Sequence, residues 1–192
     1  IVVPHGVDLD IFNLNRINSE KEIKKRYKIN EDNFVLSNIG AMTKNKGVEL
    51  LVVAYGILKK KFKNLKLLLK DQSNLYDIKA NWVFNKVSES PFNKKYKIIN
   101  DEMLQDVTII SNNLTLDEIK QIYSITDCYV SPYLAEGFNL TPLEAAACGT
   151  QIIVTKGGST DDYFDPCLGH QIESTEKKIK TNSTVLVPKL DS

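Results

Sequence analysis

The segment from Phe34 to Phe62 reads FVLSNIGAMTKNKGVELLVVAYGILKKKF, and the pattern within it recurs along the chain. Phe34 to Gly40 is a short apolar run that ends on glycine, which is typical of a buried strand. From Gly47 to Phe62 the apolar residues recur at helical spacing. The segment therefore predicts a strand, a loop and a helix, in that order.

The same alternation continues toward the C-terminus. Further strands are predicted at Leu65 to Leu69, Val107 to Ile110, Cys128 to Pro132 and Gln151 to Val154. Further helices are predicted near Ile78 to Val87 and at Leu116 to Ile125 and Pro142 to Cys148. Apolar strands that alternate with helices predict an α/β fold, a Rossmann-like doubly wound parallel sheet with both faces covered.

In such a sheet, ligands bind beyond the carboxyl ends of the strands, where loops lead into helices. The loops at that edge are Gly40 to Gly47, Ile110 to Thr115 and Tyr133 to Thr141. The dinucleotide pattern GxGxxG is missing from them, so the sequence does not support hydride transfer with a dinucleotide. Any phosphate site must be built differently.

Composition excludes several classes of function. Lys plus Arg is 25 and Asp plus Glu is 24, so the net charge of +1 does not indicate nucleic-acid binding. No apolar run approaches the roughly 20 residues that span a bilayer. Three separated cysteines favour buried, inert thiols in a reducing, cytoplasmic compartment, and two distant histidines, His5 and His170, do not predict a metal site.

The stretch Glu136 to Glu144, EGFNLTPLE, is the strongest candidate for a site. Its second half predicts a helix start, with Thr141 as N-cap, Pro142 at the first helical position and Glu144 completing a capping box. The same box occurs at Thr115 to Glu118 without a comparable loop, so a box alone is weak evidence of function. Glu144 could be no more than a cap.

What distinguishes the first box is the loop before it. Glu136 and Gly137 place a carboxylate and a flexible residue ahead of helix amides that attract phosphate. Carboxylates suit hydroxyl groups, and a cation should accompany a bound diphosphate. Lys46 is that candidate, because a lysine near a helix N-terminus is electrostatically unfavourable without an anion. The alternative is a solvated loop lysine.

These residues resemble the C-terminal domain of the group 1, or family 4, glycosyltransferases of GT-B fold. The resemblance runs through Pro4 to Asp8, Gly40 to Gly47, Leu116 to Asp127, Glu136 to Gly149 and Gln151 to Asp162. Its most specific element is the E-x7-E pattern, filled by Glu136 and Glu144. We expect residues 1–192 to form one nucleotide-sugar-binding domain of a longer chain whose N-terminal domain binds the acceptor.

The resemblance also implies roles for individual residues. Glu136 would contact hydroxyls of the transferred sugar, Glu144 would contact the ribose, and Lys46 with the amides of Asn139 to Thr141 would hold the diphosphate. Backbone at Ile110 and Ser111 would border the nucleobase. The remaining donor-binding positions implied are Gly40, Gly137, Phe138 and Leu140. The family transfers sugar with retained configuration and without a metal, so no cofactor is expected beyond the nucleoside diphosphate sugar itself.

One position departs from the family pattern. Ala41 occupies the place after Gly40 where an arginine is common. Lys44 could substitute, the domain could be catalytically weak, or the subfamily could do without the arginine. The sequence thus predicts a glycosyltransferase donor domain with an unknown acceptor, inactive or nearly so on its own. The alternatives are a nucleotide-sugar-binding module without turnover, a GT-B epimerase and a structural scaffold.

Overall fold

Strand β1 (Phe34–Gly40) is buried at every residue except the first. The computed structural model describes residues 5–15, 19–178 and 184–188. Within them β1 pairs in parallel with β2 (Leu65–Asp71) on one side and with β4 (Cys128–Ser131) on the other. Its apolar run is continuous because both faces of the sheet are covered.

The main sheet has six strands, all parallel, in the order β3-β2-β1-β4-β5-β6. The remaining strands of this sheet are β3 (Val107–Ile110), β5 (Gln151–Thr155) and β6 (Gly169–Ile172). Strands β7 (Ser174–Lys178) and β8 (Thr184–Pro188) form a separate antiparallel ribbon. Strand order reverses between β1 and β4, so the switch point of this doubly wound sheet lies there.

Helices cover both faces of the sheet. One face packs under α2 (Val48–Lys59), α4 (Ala80–Glu89) and α6 (Asp101–Gln105). The other packs under α1 (Glu20–Arg26), α7 (Leu116–Ser124) and α8 (Leu140–Ala147). The short helices α3 (Ser73–Tyr76) and α5 (Pro91–Tyr96) follow β2 and α4. No helix in the described ranges is long and apolar enough to cross a membrane.

The doubly wound Rossmann-like fold expected from the sequence is confirmed. The five predicted strands from Phe34 onward are present, and so are the predicted helices. Helix α8 begins at Leu140, two residues earlier than predicted. Helices α1, α3, α5 and α6 and strands β6 and β7 were not predicted from the sequence. Of the Pro4 to Asp8 segment, Pro4 lies outside the described residues.

Candidate functional site

The loops that follow β1 and β4 are bonded to each other at the switch point. Leu134 N donates to Asn45 O at 2.7 Å, and Asn45 Nδ2 donates to Ala135 O at 3.2 Å. Gly47 has a φ of 66°, and a Cβ on it would overlap Pro132 O. The two loops therefore form one rigid wall, and only glycine permits this close approach.

Lys46 and Glu136 meet across this junction. The Lys46 ammonium contacts Glu136 Oε1 in an ion pair whose side chains are 28% and 12% exposed. Lys46 ends a 3₁₀ turn (Lys44–Lys46) just before α2, as the sequence predicted. The pairing itself was not foreseen, because the two residues were assigned to different parts of a ligand. Together they place one positive and one negative group at the junction of the two loops.

Helix α8 starts from an unusual backbone conformation. Asn139 is its N-cap residue and has a φ of 63°, a left-handed geometry that asparagine tolerates better than most residues. Its buried side chain donates to Ser131 Oγ at 2.9 Å, and its carbonyl accepts from the Tyr163 hydroxyl at 2.7 Å. Since the Asn139 side chain faces Ser131, it does not cap the helix, and the amides of Leu140 and Thr141 remain available.

The predicted capping box at Thr141 is therefore wrong. Thr141 lies inside the first turn, and its Oγ1 is 2.8 Å from the Tyr129 hydroxyl. The same hydroxyl accepts a hydrogen bond from Ile39 N at 3.1 Å. The buried Tyr129 thus fixes the first turn of α8 against the end of β1. The box at Thr115 and Glu118, by contrast, is present with both hydrogen bonds.

Glu144 does not cap α8 either. Its Oε2 accepts a hydrogen bond from the fully buried Tyr123 hydroxyl at 2.9 Å. Burial raises the pKa of Glu144, and the hydrogen bond from Tyr123 opposes that rise. The carboxylate of Glu144 therefore has no capping role. The neutral Tyr123 hydroxyl fixes its position on α8.

Phe138 lies between two aromatic rings. Its ring centroid is 5.3 Å from that of His5 and 5.5 Å from that of Tyr163. These contacts hold the loop between Gly137 and Asn139 against the rest of the domain. Gly137 has no atom within 4 Å of the position where a Cβ would lie, and Gly40 at the end of β1 is equally unobstructed.

A cavity of about 210 Å³ lies beside the ends of β1, β2 and β3. Ser111 lines it, while Ile110 packs into the core. Ser111 Oγ donates to Asp71 Oδ2 at 2.8 Å. Lys70 also lines the cavity, although no sequence pattern marked it as a site residue. Burial lowers the pKa of Lys70, and the negative charge of Asp71 opposes this.

Another cavity, of about 200 Å³, adjoins Glu136 and is lined in part by the β7–β8 ribbon. Glu176 and Leu186 of the ribbon line it together with Gly158. Leu186 N donates to Leu134 O at 2.7 Å, which ties the ribbon to the loop after β4. These contacts could not be predicted from the sequence, because a contact between a ribbon and a distant loop leaves no periodic pattern in either segment.

Three other expectations concern the missing arginine at position 41, the cysteines and metal ligands. Ala41 is buried and Lys44 is exposed, and the substitution of Lys44 for the missing arginine stays a prediction. The three thiols are not all buried: Cys128 is, Cys148 is half-buried and Cys167 is exposed. Within the described parts of the chain, no group of three or more His, Cys, Asp or Glu side chains could hold a metal ion.

A doubly wound parallel sheet, with charged side chains gathered at its switch point, defines a Rossmann-like α/β domain. The chain belongs to the family described as glycosyl transferases group 1, whose model matches residues 19–170. Within that family it corresponds to the C-terminal domain of the GT-B fold.

Individual relatives agree with this assignment. The chain is 28% identical over 157 residues to a D-inositol 3-phosphate glycosyltransferase of Paenarthrobacter aurescens (strain TC1), covering 82% of this chain and 35% of the relative. It is 22% identical to the C-terminal domain of a group 1 glycosyl transferase (LpcC) of Francisella tularensis, with a TM-score of 0.64, covering 88% of this chain and 80% of that one. A glycosyltransferase from Rickettsia africae gives 21% identity and a TM-score of 0.67, covering 90% of this chain and 42% of the other.

The chain thus spans about a third of the length of the first curated relative that it matches.

Proposed function

We propose that this domain binds a nucleoside diphosphate sugar and presents it for transfer to an acceptor, with retained anomeric configuration and without a metal ion. The acceptor would be held by an N-terminal domain of the same protein. The observation that carries the proposal is the meeting of Lys46 and Glu136 beside the uncapped start of α8. These groups match the two halves of such a donor, an anionic diphosphate and a neutral sugar.

The diphosphate fits the positive part of the site. The amides of Leu140 and Thr141 point from a helix start that favours anions. The Lys46 ammonium has three N–H groups, so it can keep Glu136 on one and offer the others to phosphate oxygens. Glu136 in turn holds the lysine at the crevice when no ligand is bound.

The same cation would assist the chemistry. As the bond between the sugar and the diphosphate breaks, negative charge grows on the leaving phosphate, and a fixed ammonium stabilises that charge more than the ground state. Glu136 would accept hydroxyl protons of the transferred sugar, and Glu144, held by Tyr123, would accept those of the ribose. A metal is not required for this charge stabilisation when a lysine supplies it.

Calorimetric titration with UDP, GDP, ADP and their sugars tests the proposal. We expect at least one of them to bind, and Lys46→Ala to weaken that binding about 10- to 100-fold because a charge-assisted hydrogen bond to phosphate is lost. Lys61→Ala is the matched control, since Lys61 is exposed beyond the opposite end of α2 and should change affinity by less than about threefold. Absence of binding by every diphosphate would sink the proposal.

A second candidate is a nucleotide-sugar-binding module without turnover. Buried Ala41, in place of the common arginine, favours it because half of the basic pair is missing. Binding of a donor without any sugar transfer, measured with the acceptor-binding domain present, would support this candidate over the transferase.

A further inference from the structure

Lys70 is a buried cation in a row of apolar side chains. In the parallel register of the sheet, it lies between Ile39 of β1 and Ile110 of β3. Only 6% of Lys70 is exposed. A lysine at such a position costs desolvation energy, so its ammonium needs acceptors.

The protein supplies one acceptor and leaves the rest of the ammonium unsatisfied. Lys70 Nζ donates to Asp71 O, and the described residues offer it no other hydrogen bond and no ion pair. The Asp71 carboxylate accepts instead from Ala80 N at 3.0 Å, Ser73 Oγ at 2.9 Å and Ser111 Oγ at 2.8 Å. It is satisfied by these neutral donors, so two N–H groups of Lys70 have no protein partner in the described chain.

Those two N–H groups belong to a side chain that lines the cavity of about 210 Å³ beside Ser111. Ile39 and Leu114 give the cavity apolar walls, and Gln72 and Asn74 give it neutral polar ones. Apolar walls with a polar rim suit a planar heterocycle.

Ile39 and Tyr129 connect this cavity to the start of α8, where the diphosphate is proposed to bind. The Ile39 side chain lines it, while Ile39 N donates to the Tyr129 hydroxyl, which lies 2.8 Å from Thr141 Oγ1 in the first turn of α8. A ligand that has its diphosphate at α8 can therefore place its base in this cavity.

We infer that Lys70 selects the nucleobase of the donor, favouring a base with a keto oxygen, uracil or guanine, over adenine. The inference rests on the proposed function, since it assigns a base to that same site. An ammonium only donates hydrogen bonds, so it pairs with a keto oxygen. Adenine has an amino group, which also donates, where the other bases have a keto oxygen, and its ring nitrogens are the only acceptors it offers to the buried ammonium.

The test compares the affinities of UDP, GDP and ADP for the purified protein at pH 7. We expect UDP or GDP to bind at least about tenfold more tightly than ADP, as a hydrogen bond to a buried charge implies. In Lys70→Met that ratio should fall to about threefold or less, through loss of UDP or GDP affinity and with ADP unchanged. Lys70→Arg, which keeps a donor, should retain part of the preference, and the exposed Lys61→Met should retain all of it.

Each outcome separates the inference from the proposal beneath it. ADP binding as tightly as UDP and GDP, or an unchanged ratio in Lys70→Met, overturns the role of Lys70 and leaves the donor site standing. No binding by any diphosphate overturns both. A misfolded variant would lose all three ligands together, so the ratio, checked beside thermal unfolding, distinguishes misfolding from altered selectivity.

Discussion

At the residue scale, Glu136 and Glu144 carry the same functional group in two different surroundings. Glu136 is paired with a cation, and Glu144 is hydrogen-bonded to a neutral phenol beneath it. Burial makes ionisation of Glu144 costly, whereas Glu136 lies in direct contact with an ammonium group. The two carboxylates of the E-x7-E pattern are therefore not interchangeable.

Glu144 should make the protein less stable as the pH rises. Its pKa in the folded state is raised by burial, so the stabilisation it contributes is complete below its unfolded pKa of about 4.3 and is lost as the pH rises through the folded pKa. Glu144→Gln should remove this loss while keeping an acceptor for Tyr123. Urea unfolding between pH 4 and pH 8 should show that the free energy of unfolding of the variant increases relative to that of the natural protein as the pH rises.

Glu118→Gln is the matched control for that experiment. Glu118 forms a true capping box with Thr115 on an exposed helix start, where glutamine also caps. We expect no comparable gain with pH in this variant. A constant difference between Glu144→Gln and the natural protein from pH 4 to pH 8 would contradict the assigned burial of Glu144.

At the element scale, alanine substitutions at two glycines of the site loops should have very different effects on the free energy of unfolding. Gly47→Ala places a Cβ against Pro132 O at a positive φ, and we expect it to lower the free energy of unfolding by about 2–4 kcal/mol. Gly137→Ala meets no atom within 4 Å and should change stability by less than about 0.5 kcal/mol. Chemical denaturation measures both, and equal effects would show that the two loops are not locked together.

The elements themselves could be predicted far better than their contacts. Strands β1 and β2 and helix α2 follow from continuous apolar runs and helical periodicity, which depend only on local spacing. The start of α8 was misplaced because Thr141 and Glu144 match a capping pattern, whereas tertiary hydrogen bonds from Tyr129 and Tyr123 decide where those side chains lie. Propensity at a helix end is weak enough to be overridden by such contacts.

For the site, too, the positions of the motif residues could be predicted from the sequence, but their contacts could not. Motif residues from Glu136 to Glu144 and Lys46 do gather at the switch point, because strand order brings their loops together. Lys70 was missed because it stands at the end of an apolar run where no motif marks it. Its significance depends on Ile39 and Ile110 flanking it in the sheet, and that register is not encoded within any one segment.

At the scale of the whole molecule, acid should unfold the domain through Asp106, at the amino ends of the strands. It pairs with Lys59 at 2.6 Å and Lys66 at 2.7 Å. Burial opposes ionisation of Asp106, but the hydrogen bonds from these lysines lower its pKa overall. Its stabilisation is therefore present above the unfolded pKa of about 3.9 and is lost as the pH falls through the folded pKa.

Asp106→Asn should accordingly lower the free energy of unfolding at pH 7 by about 1–3 kcal/mol, because buried Lys59 loses its counter-charge. The difference from the natural protein should shrink at pH 2–3, below the unfolded pKa of about 3.9, because the unfolded chain binds a proton there more readily than folded Asp106 does. Asp32→Asn, on an exposed loop, should have little effect at either pH. Urea unfolding at the two pH values gives the comparison, and a difference that persists undiminished in acid would contradict it.

The β7–β8 ribbon lies beyond residue 170, where the match to the family model ends. Leu186 is a buried residue of the ribbon, and together with Glu176 it lines the cavity beside Glu136. If the transferred sugar occupies that cavity, the ribbon forms a wall of the sugar site and takes no part in holding the nucleotide. Loosening the ribbon should then affect sugar recognition alone.

Leu186→Ala tests this division. We expect it to lower the free energy of unfolding by about 2 kcal/mol, at the low end for a buried leucine because the ribbon is peripheral. The ratio of nucleotide-sugar to nucleotide affinity should fall about tenfold, while the affinity for the free nucleoside diphosphate stays unchanged. Thr175→Ala, on an exposed position of the same ribbon, should alter neither affinity. Equal weakening of both ligands by Leu186→Ala would show that the ribbon supports the whole site and does not line the sugar pocket.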